Sequence, residues 1–248
     1  MKEPILLSIV VPCYNEEKNI PFVLKHFAGA LTGEGGIELI LVDNGSGDQT
    51  GKIIEQEIAA NHYGFARKVT VKKNQGYGFG ILSGLRGAHG MCLSWTHADL
   101  QTDPADVLRA YQLYTELSKT YPLLLIKGSR KNRKLLERFF SFGMQLLSSL
   151  SLGVWLTEVN AQPKLFPRSL YEKMGHPPED FSLDLYLLVL AKKAGYRIFS
   201  IPVYFKKRLH GEAKGGGGSN FKVRWNLVQR TWRYIFRLKS HMARKAGI

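Results

Sequence analysis

The sequence predicts an α/β fold, a mostly parallel sheet with helices on both faces. Three observations carry this. Short apolar runs rich in β-branched residues alternate with helical periodicity through the first half of the chain. Each run ends in a polar loop, as at Cys13-Tyr14-Asn15-Glu16, Asp43-Asn44-Gly45-Ser46 and His97-Ala98-Asp99-Leu100-Gln101. A hydrophobic content of 44% over 248 residues supplies a real core.

Taken in order, Ile5 to Val11 reads as a strand buried on both faces. Asn19 is a candidate N-cap, with Pro21 tolerated in the first turn of a helix running to Leu31. Ile37 to Val42 is the second buried strand, and Asp48 suits the cap of the helix after it. Val69 to Val71 is a short third strand. The stretch Asn74-Gln75-Gly76-Tyr77-Gly78-Phe79-Gly80 leads into an apolar helix with Gly84 and Gly87. Its glycines match a dinucleotide fingerprint only loosely, and are read as places where backbone approaches a ligand or the next strand. Met91 to Trp95 is the fourth strand. Asp103 caps the next helix, with Pro104 at its first position and Asp106 in its first turn, as far as about Lys119. Leu123 to Ile126 is the fifth strand, ending in Gly128-Ser129-Arg130.

The second half changes character. Arg130, Lys131, Arg133, Lys134 and Arg138 form a basic cluster, and Phe139 to Leu156 carries no charge. That run is an interfacial or re-entrant helix, a buried core helix or a membrane span; its serines and glycines weaken the last. Glu158 to Phe166 reads as irregular with a short strand. Phe181 to Ala194 is a helix that Asp180 can cap, and Arg197 to Phe205 is a strand. Four glycines, Gly215 to Gly218, follow Arg208 and Lys214, as a lid over phosphates or a plain linker would require. After Glu212 there are nine Lys or Arg and no acidic residue, with Phe221, Trp225, Val228, Trp232 and Ile235 at helical spacing. A basic amphipathic helix of this kind suits an anionic membrane surface or packs on its own domain.

The balance of 35 Lys and Arg against 20 Asp and Glu gives a net charge of +15. Such a charge suits polyanions: nucleic acid, acidic lipid surfaces or phosphate-rich substrates. The basic stretches hold no recognisable nucleic-acid motif, so nucleic acid is the weakest of these. Cys13 and Cys92 fall in or beside buried strands and read as core thiols of a reducing compartment. The start, Met1 to Val11, is too short in its apolar run for a signal peptide.

The loops carry the chemistry. Asp99 and Gln101 offer oxygens at a strand's carboxyl end, where open α/β sheets bind ligands. That suits a hard divalent cation that also touches phosphates. The plain alternative makes Asp99 and Asp103 ordinary turn and cap residues. Tyr14 can stack on a base and Glu16 can hydrogen-bond one. Asp43, ending the second strand, stands where nucleotide-binding folds meet a ribose or base.

Together these stretches resemble the family-2 glycosyltransferases of GT-A fold, a Rossmann-like arrangement that binds nucleotide-diphospho-sugars. The residues that carry the resemblance are Ile9-Val10-Val11-Pro12-Cys13-Tyr14-Asn15-Glu16-Glu17, Val42-Asp43-Asn44-Gly45-Ser46, Asn74-Gln75-Gly76-Tyr77-Gly78 and Ala98-Asp99-Leu100-Gln101. Gly128-Ser129-Arg130 and Pro202-Val203-Tyr204-Phe205, with Arg208, Gly211 and Lys214, extend it toward the branch containing dolichyl-phosphate mannose synthase and bacterial polyprenyl-phosphate hexosyltransferases. The resemblance implies a glycosyltransferase domain over residues 1–214, with a linker and basic helix over 215–248.

It also implies roles. Pro12, Tyr14, Asn15, Glu16, Asp43, Asn44, Asn74, Gly76, His97 and Ala98 would form the nucleotide site. Asp99 and Gln101 would bind Mg²⁺ or Mn²⁺ on the donor diphosphate. Asp99, Arg130, Arg208 and Lys214 would be catalytic, and Arg138 would meet an acceptor phosphate. The implied reaction moves a sugar, with inversion, to a polyprenyl phosphate at the cytoplasmic membrane face. A phosphate acceptor is already an anion and needs little general base, whereas a glycan or other hydroxyl acceptor needs a carboxylate. Glu179, Asp180 and Asp184 are the candidates for that role. Three departures stand out: His97 replaces the family's first Asp, Ala213 replaces a Ser, and Asn160-Ala161-Gln162-Pro163-Lys164 replaces the Ser-Gly-Phe region. The His97 departure leaves open a catalytically weak nucleotide-sugar-binding scaffold.

Overall fold

A computed structural model of the protein describes residues 4–131 and 153–206. Strand β1 (Leu7–Cys13), helix α1 (Ile20–Ala30), β2 (Ile37–Asn44), α2 (Thr50–Ala60), β3 (Ala66–Val71), α3 (Tyr77–Arg86), β4 (Cys92–Trp95) and α4 (Ala105–Leu117) alternate as expected. Then come β5 (Leu124–Lys131), β6 (Lys164–Pro167), α5 (Arg168–Tyr171), α6 (Leu183–Lys193) and β7 (Arg197–Tyr204). The seven strands form one sheet in the order β3-β2-β1-β4-β6-β5-β7. All run parallel except β6, which lies antiparallel between β4 and β5. The α/β expectation holds, with one reversed strand at its centre.

Side-chain alternation splits the core into two layers. Leu7, Ile9, Val11, Leu39 and Leu41 face α1, α2 and α4, whereas Val10, Ile40, Val42, Leu93 and Trp95 face α3 and α6. Both sets are fully buried, which is why β1 and β2 read as unbroken apolar runs. Helix α3 comes very close to the sheet through Gly84, where an added Cβ would sit 2.9 Å from Val42 Cγ2. The glycines expected to allow close approach do so here.

Several boundaries move. The Leu6 and Leu7 N–H groups both donate to the Gly36 carbonyl, so β1 begins at Leu7 and not Ile5, and it runs two residues past Val11. The expected end of β5 at Ile126 is too early. Gly128, Ser129 and Arg130 continue the strand, because β7 pairs with it from Leu124↔Arg197 to Lys131↔Tyr204. Asn19 stands before α1 but caps nothing with its side chain; its Nδ2 donates to Glu16 Oε2 at 2.5 Å. The other expected caps shift as well: the cap positions are Gln49, Pro104 and Ser182, without side-chain cap bonds, and the aspartates stand ahead of them in local turns, Asp48 accepting from Thr50 N (3.0 Å), Asp103 from Ala105 N (3.0 Å) and Asp180 from Ser182 N (2.8 Å). Of the expected helix over 139–156, residues 139–152 lie outside the described residues and 153–156 are not helical. The basic helix expected over 215–248 lies outside them too. Cys13 and Cys92 are free and buried. Among the described residues no helix is long and apolar enough to cross a membrane.

The amino-terminal edge of the sheet is tied by one carboxylate. Glu38 accepts from Ser8 Oγ (2.6 Å), the His89 N–H (2.6 Å) and Arg67 Nε (3.0 Å), joining the starts of β1, β2 and β3 to the turn before β4. Burial raises the Glu38 carboxyl, but the Ser8, His89 and Arg67 hydrogen bonds outweigh it and hold the group below its ordinary value. A depressed carboxylate stabilises the fold above its unfolded pKa, and that stabilisation is lost as pH falls through the folded pKa. E38Q is therefore expected to cost about 1–3 kcal/mol near neutral pH. The difference from wild type should shrink below about pH 4. Urea midpoints across that range measure it, and a difference independent of pH would contradict the carboxylate's role.

Candidate active site

The carboxyl ends of β1, β2, β4 and β5 share one edge, so the loops expected to carry function meet there. The β1 and β2 loops are stitched together by hydrogen bonds. Asn15, at φ 56°, donates its N–H to Ser46 Oγ (3.1 Å), and its Oδ1 accepts from Gly47 N (2.8 Å). Glu16 N–H donates to Thr50 Oγ1 at 2.8 Å, and Gln49 N–H donates to Glu17 Oε2 at 3.0 Å. Asp43, half-buried, accepts from Ser46 N at 3.1 Å. Tyr14 stands exposed beside this floor, and Pro12 is half-buried beneath it.

The β3–α3 loop closes one side. Asn44 is buried and donates Nδ2 to the Gly76 carbonyl (2.9 Å), and Asn74 Oδ1 accepts from Gly76 N (2.9 Å). The three asparagines expected at the nucleotide thus hold the loops in shape. The start of α3 is capped from far along the chain, with Phe79 N–H donating to the Glu179 carbonyl at 2.8 Å. Gly76 and Gly78 permit this: an added Cβ would meet Glu179 O at 2.5 Å from the first and Asp180 O at 2.7 Å from the second. The intruding atoms are backbone and cannot swing aside. G78A is expected to lower stability by about 1–3 kcal/mol despite the better helix propensity of alanine, read as a shift in the urea midpoint.

The β4 loop stands at the centre. Leu100 takes φ 55° with its side chain in the core, and the turn brings Gln101 N–H onto Asp99 Oδ1 at 3.2 Å. Thr96 and Thr102 hydroxyls meet at 3.2 Å across its base. The loop is fastened to the end of β7: Lys206 N–H donates to Gln101 O (2.9 Å), Gln101 Nε2 to Lys206 O (3.2 Å), and Lys206 Nζ lies 3.6 Å from Asp103 Oδ2. Among the described residues no three His, Cys, Asp or Glu side chains cluster as a complete metal cage. Asp99 and Gln101, neighbours on this loop, would offer a carboxylate and an amide oxygen to a divalent ion, and hard oxygen donors suit such an ion.

Beyond Asp99, on the β6–β5 side, lies a buried polar cluster that the sequence did not single out as a unit. Asp184 Oδ1 accepts from Trp95 Nε1 (3.1 Å) and Gln162 Nε2 (3.0 Å), and lies 3.3 Å from Lys164 Nζ. Gln162 Nε2 also reaches Tyr77 Oη at 3.1 Å. Tyr77 stacks on Phe181 with centroids 4.9 Å apart and lies 5.7 Å from the His97 ring. Burial, then the charges of Asp184 and Asp99, push the Tyr77 hydroxyl well above its ordinary value. Arg130 pairs with Glu158 at 2.9 Å and lies over the Phe205 ring.

The edge thus gathers Pro12, Tyr14, Asn15, Glu16, Asp43, Asn44, Asn74, Gly76, His97, Asp99, Gln101 and Arg130. Ala98 is buried, so it can meet a nucleotide only through its backbone. Arg138, Arg208 and Lys214 lie outside the described residues. Tyr77, Lys127 and Glu158 were not among the expected site residues, and Gln162 and Lys164 were noted only within the departure over Asn160 to Lys164. The available signal was a lysine within the apolar β5 and another at the start of β6.

Known proteins share this architecture. A mannosyltransferase from Pyrobaculum calidifontis, solved in complex with GDP-Man and Mn²⁺, superimposes with a TM-score of 0.64 at 18% identity, covering 94% of this chain and 70% of that one. Glucosyl-3-phosphoglycerate synthase from Mycobacterium tuberculosis, in complex with Mn²⁺, UDP and its glucosylated product, gives 0.67 at 19% identity over 94% and 79%. The fold is therefore GT-A. Among curated relatives, the undecaprenyl-phosphate 4-deoxy-4-formamido-L-arabinose transferase of Pseudomonas fluorescens is 27% identical over 84% of this chain. The dodecaprenyl-phosphate galacturonate synthase of Rhizobium johnstonii is 30% identical over 90% of it. The chain spans 59% and 65% of the length of these two relatives. The family model for glycosyl transferase family 2 matches residues 8–175, most of the β1–β6 sheet and the loops at its edge, and the chain belongs to that family.

Proposed function

We propose that this chain transfers a sugar, with inversion, from a GDP-mannose or UDP-glucose type of donor to a polyprenyl phosphate. The observation that carries the reading is the shared carboxyl edge, where the β1 and β2 loops, the Asp99 loop and Arg130 converge. Pro12, Tyr14, Glu16 and Asp43 would hold the nucleoside. Asp99 and Gln101 would hold Mg²⁺ or Mn²⁺ against the diphosphate. The ion, when bound, offsets charge developing on the departing nucleoside diphosphate. Arg130, and from sequence Arg138, Arg208 and Lys214, supply guanidinium and ammonium groups for the phosphates. The named relatives act, by their names, on undecaprenyl or dodecaprenyl phosphate. The site would work at the cytoplasmic membrane face, with the basic C-terminal stretch as its contact.

The carboxylates favour a phosphate acceptor over a hydroxyl. Asp184 is buried and holds Trp95, Gln162 and Lys164. Asp180 accepts from Ser182 N in the turn before α6, and the Glu179 carbonyl accepts from Phe79 N at the start of α3. Two of the three candidate general bases thus have structural work.

The test is transfer from radiolabelled GDP- and UDP-sugars to short polyprenyl phosphates with Mn²⁺, counting label in the organic phase. Lipid-soluble label from one donor is expected. Donor binding or hydrolysis without such label would assign a hydroxyl acceptor, and no donor binding would leave a scaffold.

A further inference from the structure

At the β5–β6 junction three cations meet two carboxylates among the described residues. The register sets Lys127 opposite Lys164, and Lys164 opposite Trp95 at the end of β4. Lys164 is fully buried, lies 3.3 Å from Asp184 and donates to the Ala161 carbonyl at 2.6 Å. Arg130 is matched by Glu158. Lys127 is 3% exposed, and among the described residues it has no carboxylate at ion-pair distance. Its Nζ makes only long bonds to the Gly128 (3.3 Å) and Glu158 (3.4 Å) carbonyls. Among the described residues the cluster is one negative charge short.

Its place gives that deficit meaning. Lys127 lies three residues before Arg130 on β5, level with Trp95 at the end of β4, on the far side of β4 from β1 and β2. That is where an acceptor would approach a donor held by the β1 and β2 loops. Glu158 sits at φ 46°, a backbone region glutamate seldom adopts. Its carboxylate occupies the guanidinium that a phosphate would take. The charges facing Lys127 are Lys164 from β6, Arg130 from its own strand and Glu158 from the loop before β6, with Asp184 of α6 behind Lys164.

We propose that Lys127 is a specificity-determining residue, which takes up a proton when a phosphate-bearing acceptor displaces Glu158 from Arg130. The inference rests on the transfer reaction proposed above and narrows its acceptor to an anion. With phosphate present, three cations face three anions, and a charged Lys127 is compensated. Without it, burial and the Lys164 and Arg130 charges push the Lys127 ammonium down to about 7, against the opposing pull of Glu158. The proton comes from solvent, and no bond to carbon or phosphorus changes. A neutral hydroxyl acceptor would leave Lys127 uncharged.

The experiment is calorimetric titration of the full chain at about pH 8 and about pH 6, in two buffers of different ionisation heat. Farnesyl phosphate and glycerol 3-phosphate are the probes, separating a lipid phosphate from a free one. Binding should take up about one proton at the higher pH and little at the lower. Affinity should fall by up to ~10-fold per pH unit above neutrality. K127M should bind without that uptake and melt no lower, since it removes a desolvated cation. E158Q should bind phosphate several-fold more tightly. Uptake that persists in K127M would overturn the proposal by assigning the proton to the phosphate itself. Binding of neither probe would overturn it as well. Lys127-dependent uptake with glycerol 3-phosphate alone would uphold it and reject the lipid acceptor. Farnesyl phosphate binding without such uptake would do the reverse. Should K127M fail to fold, E158Q decides: unchanged phosphate affinity in that variant rejects the exchange.

Discussion

D99N is expected to lower sugar transfer by at least two orders of magnitude, roughly 3 kcal/mol of transition-state stabilisation. Around the β4 loop, His97 stands where the resembling sequences have a carboxylate, and Asp103 is spent on the Ala105 N–H and Lys206. Asp99 is therefore the carboxylate of this loop that the proposed function gives to a divalent ion. Asparagine keeps an oxygen for the Gln101 N–H, so the turn at Leu100 should survive. The defect should be one of charge, with little change in melting temperature. Initial rates and a Mn²⁺ titration in the presence of nucleoside diphosphate measure both consequences. Near-full activity with unaltered ion binding would reject the assignment of Asp99.

D184A is expected to be the most destabilising single change in the site, at about 3–5 kcal/mol. It strands the buried Lys164 ammonium and removes the acceptor for Trp95 Nε1 and Gln162 Nε2. Against a typical total of about 5–15 kcal/mol, that is a large share of the fold's stability. Replacing both charges, as in K164M with D184L, should recover much of the loss, because two well-packed apolar side chains avoid the desolvation of an ion pair. Guanidinium midpoints for the single and double variants give the coupling energy. A small effect of D184A alone would mean that Lys164 finds another counter-charge. It would also return Asp184 to consideration as a general base.

How much was legible follows from how local each signal is. β1, β2 and β4, with the polar loops after them, could be read directly because burial on both faces leaves unbroken apolar runs and the loops need turn and capping residues nearby. The loops at the sheet's carboxyl edge, the Asp99 loop among them, were placed for that reason. That Asn15, Asn44 and Asn74 bind their own loops could not be read, since in sequence such a bond looks the same as a polar group offered to a ligand. The antiparallel insertion of β6 between β4 and β5 depends on pairing with two strands far away in the chain. Four residues at Lys164–Pro167 carry no trace of which neighbours they choose. Gly128 to Arg130 fell past the expected strand span of Leu123 to Ile126 because their partner, β7, lies some seventy residues on, from Arg197.

The sequence by itself determined the α/β class, the two-layer core and the polar loops that meet at the carboxyl edge of the sheet. These rest on period, composition and short-range capping. Only the tertiary structure decided that Lys127, Lys164, Asp184, Gln162 and Tyr77 share one buried cluster beside Asp99. A buried charge is tolerable only with partners, and those partners are assembled by strand register and helix packing across widely separated stretches of chain.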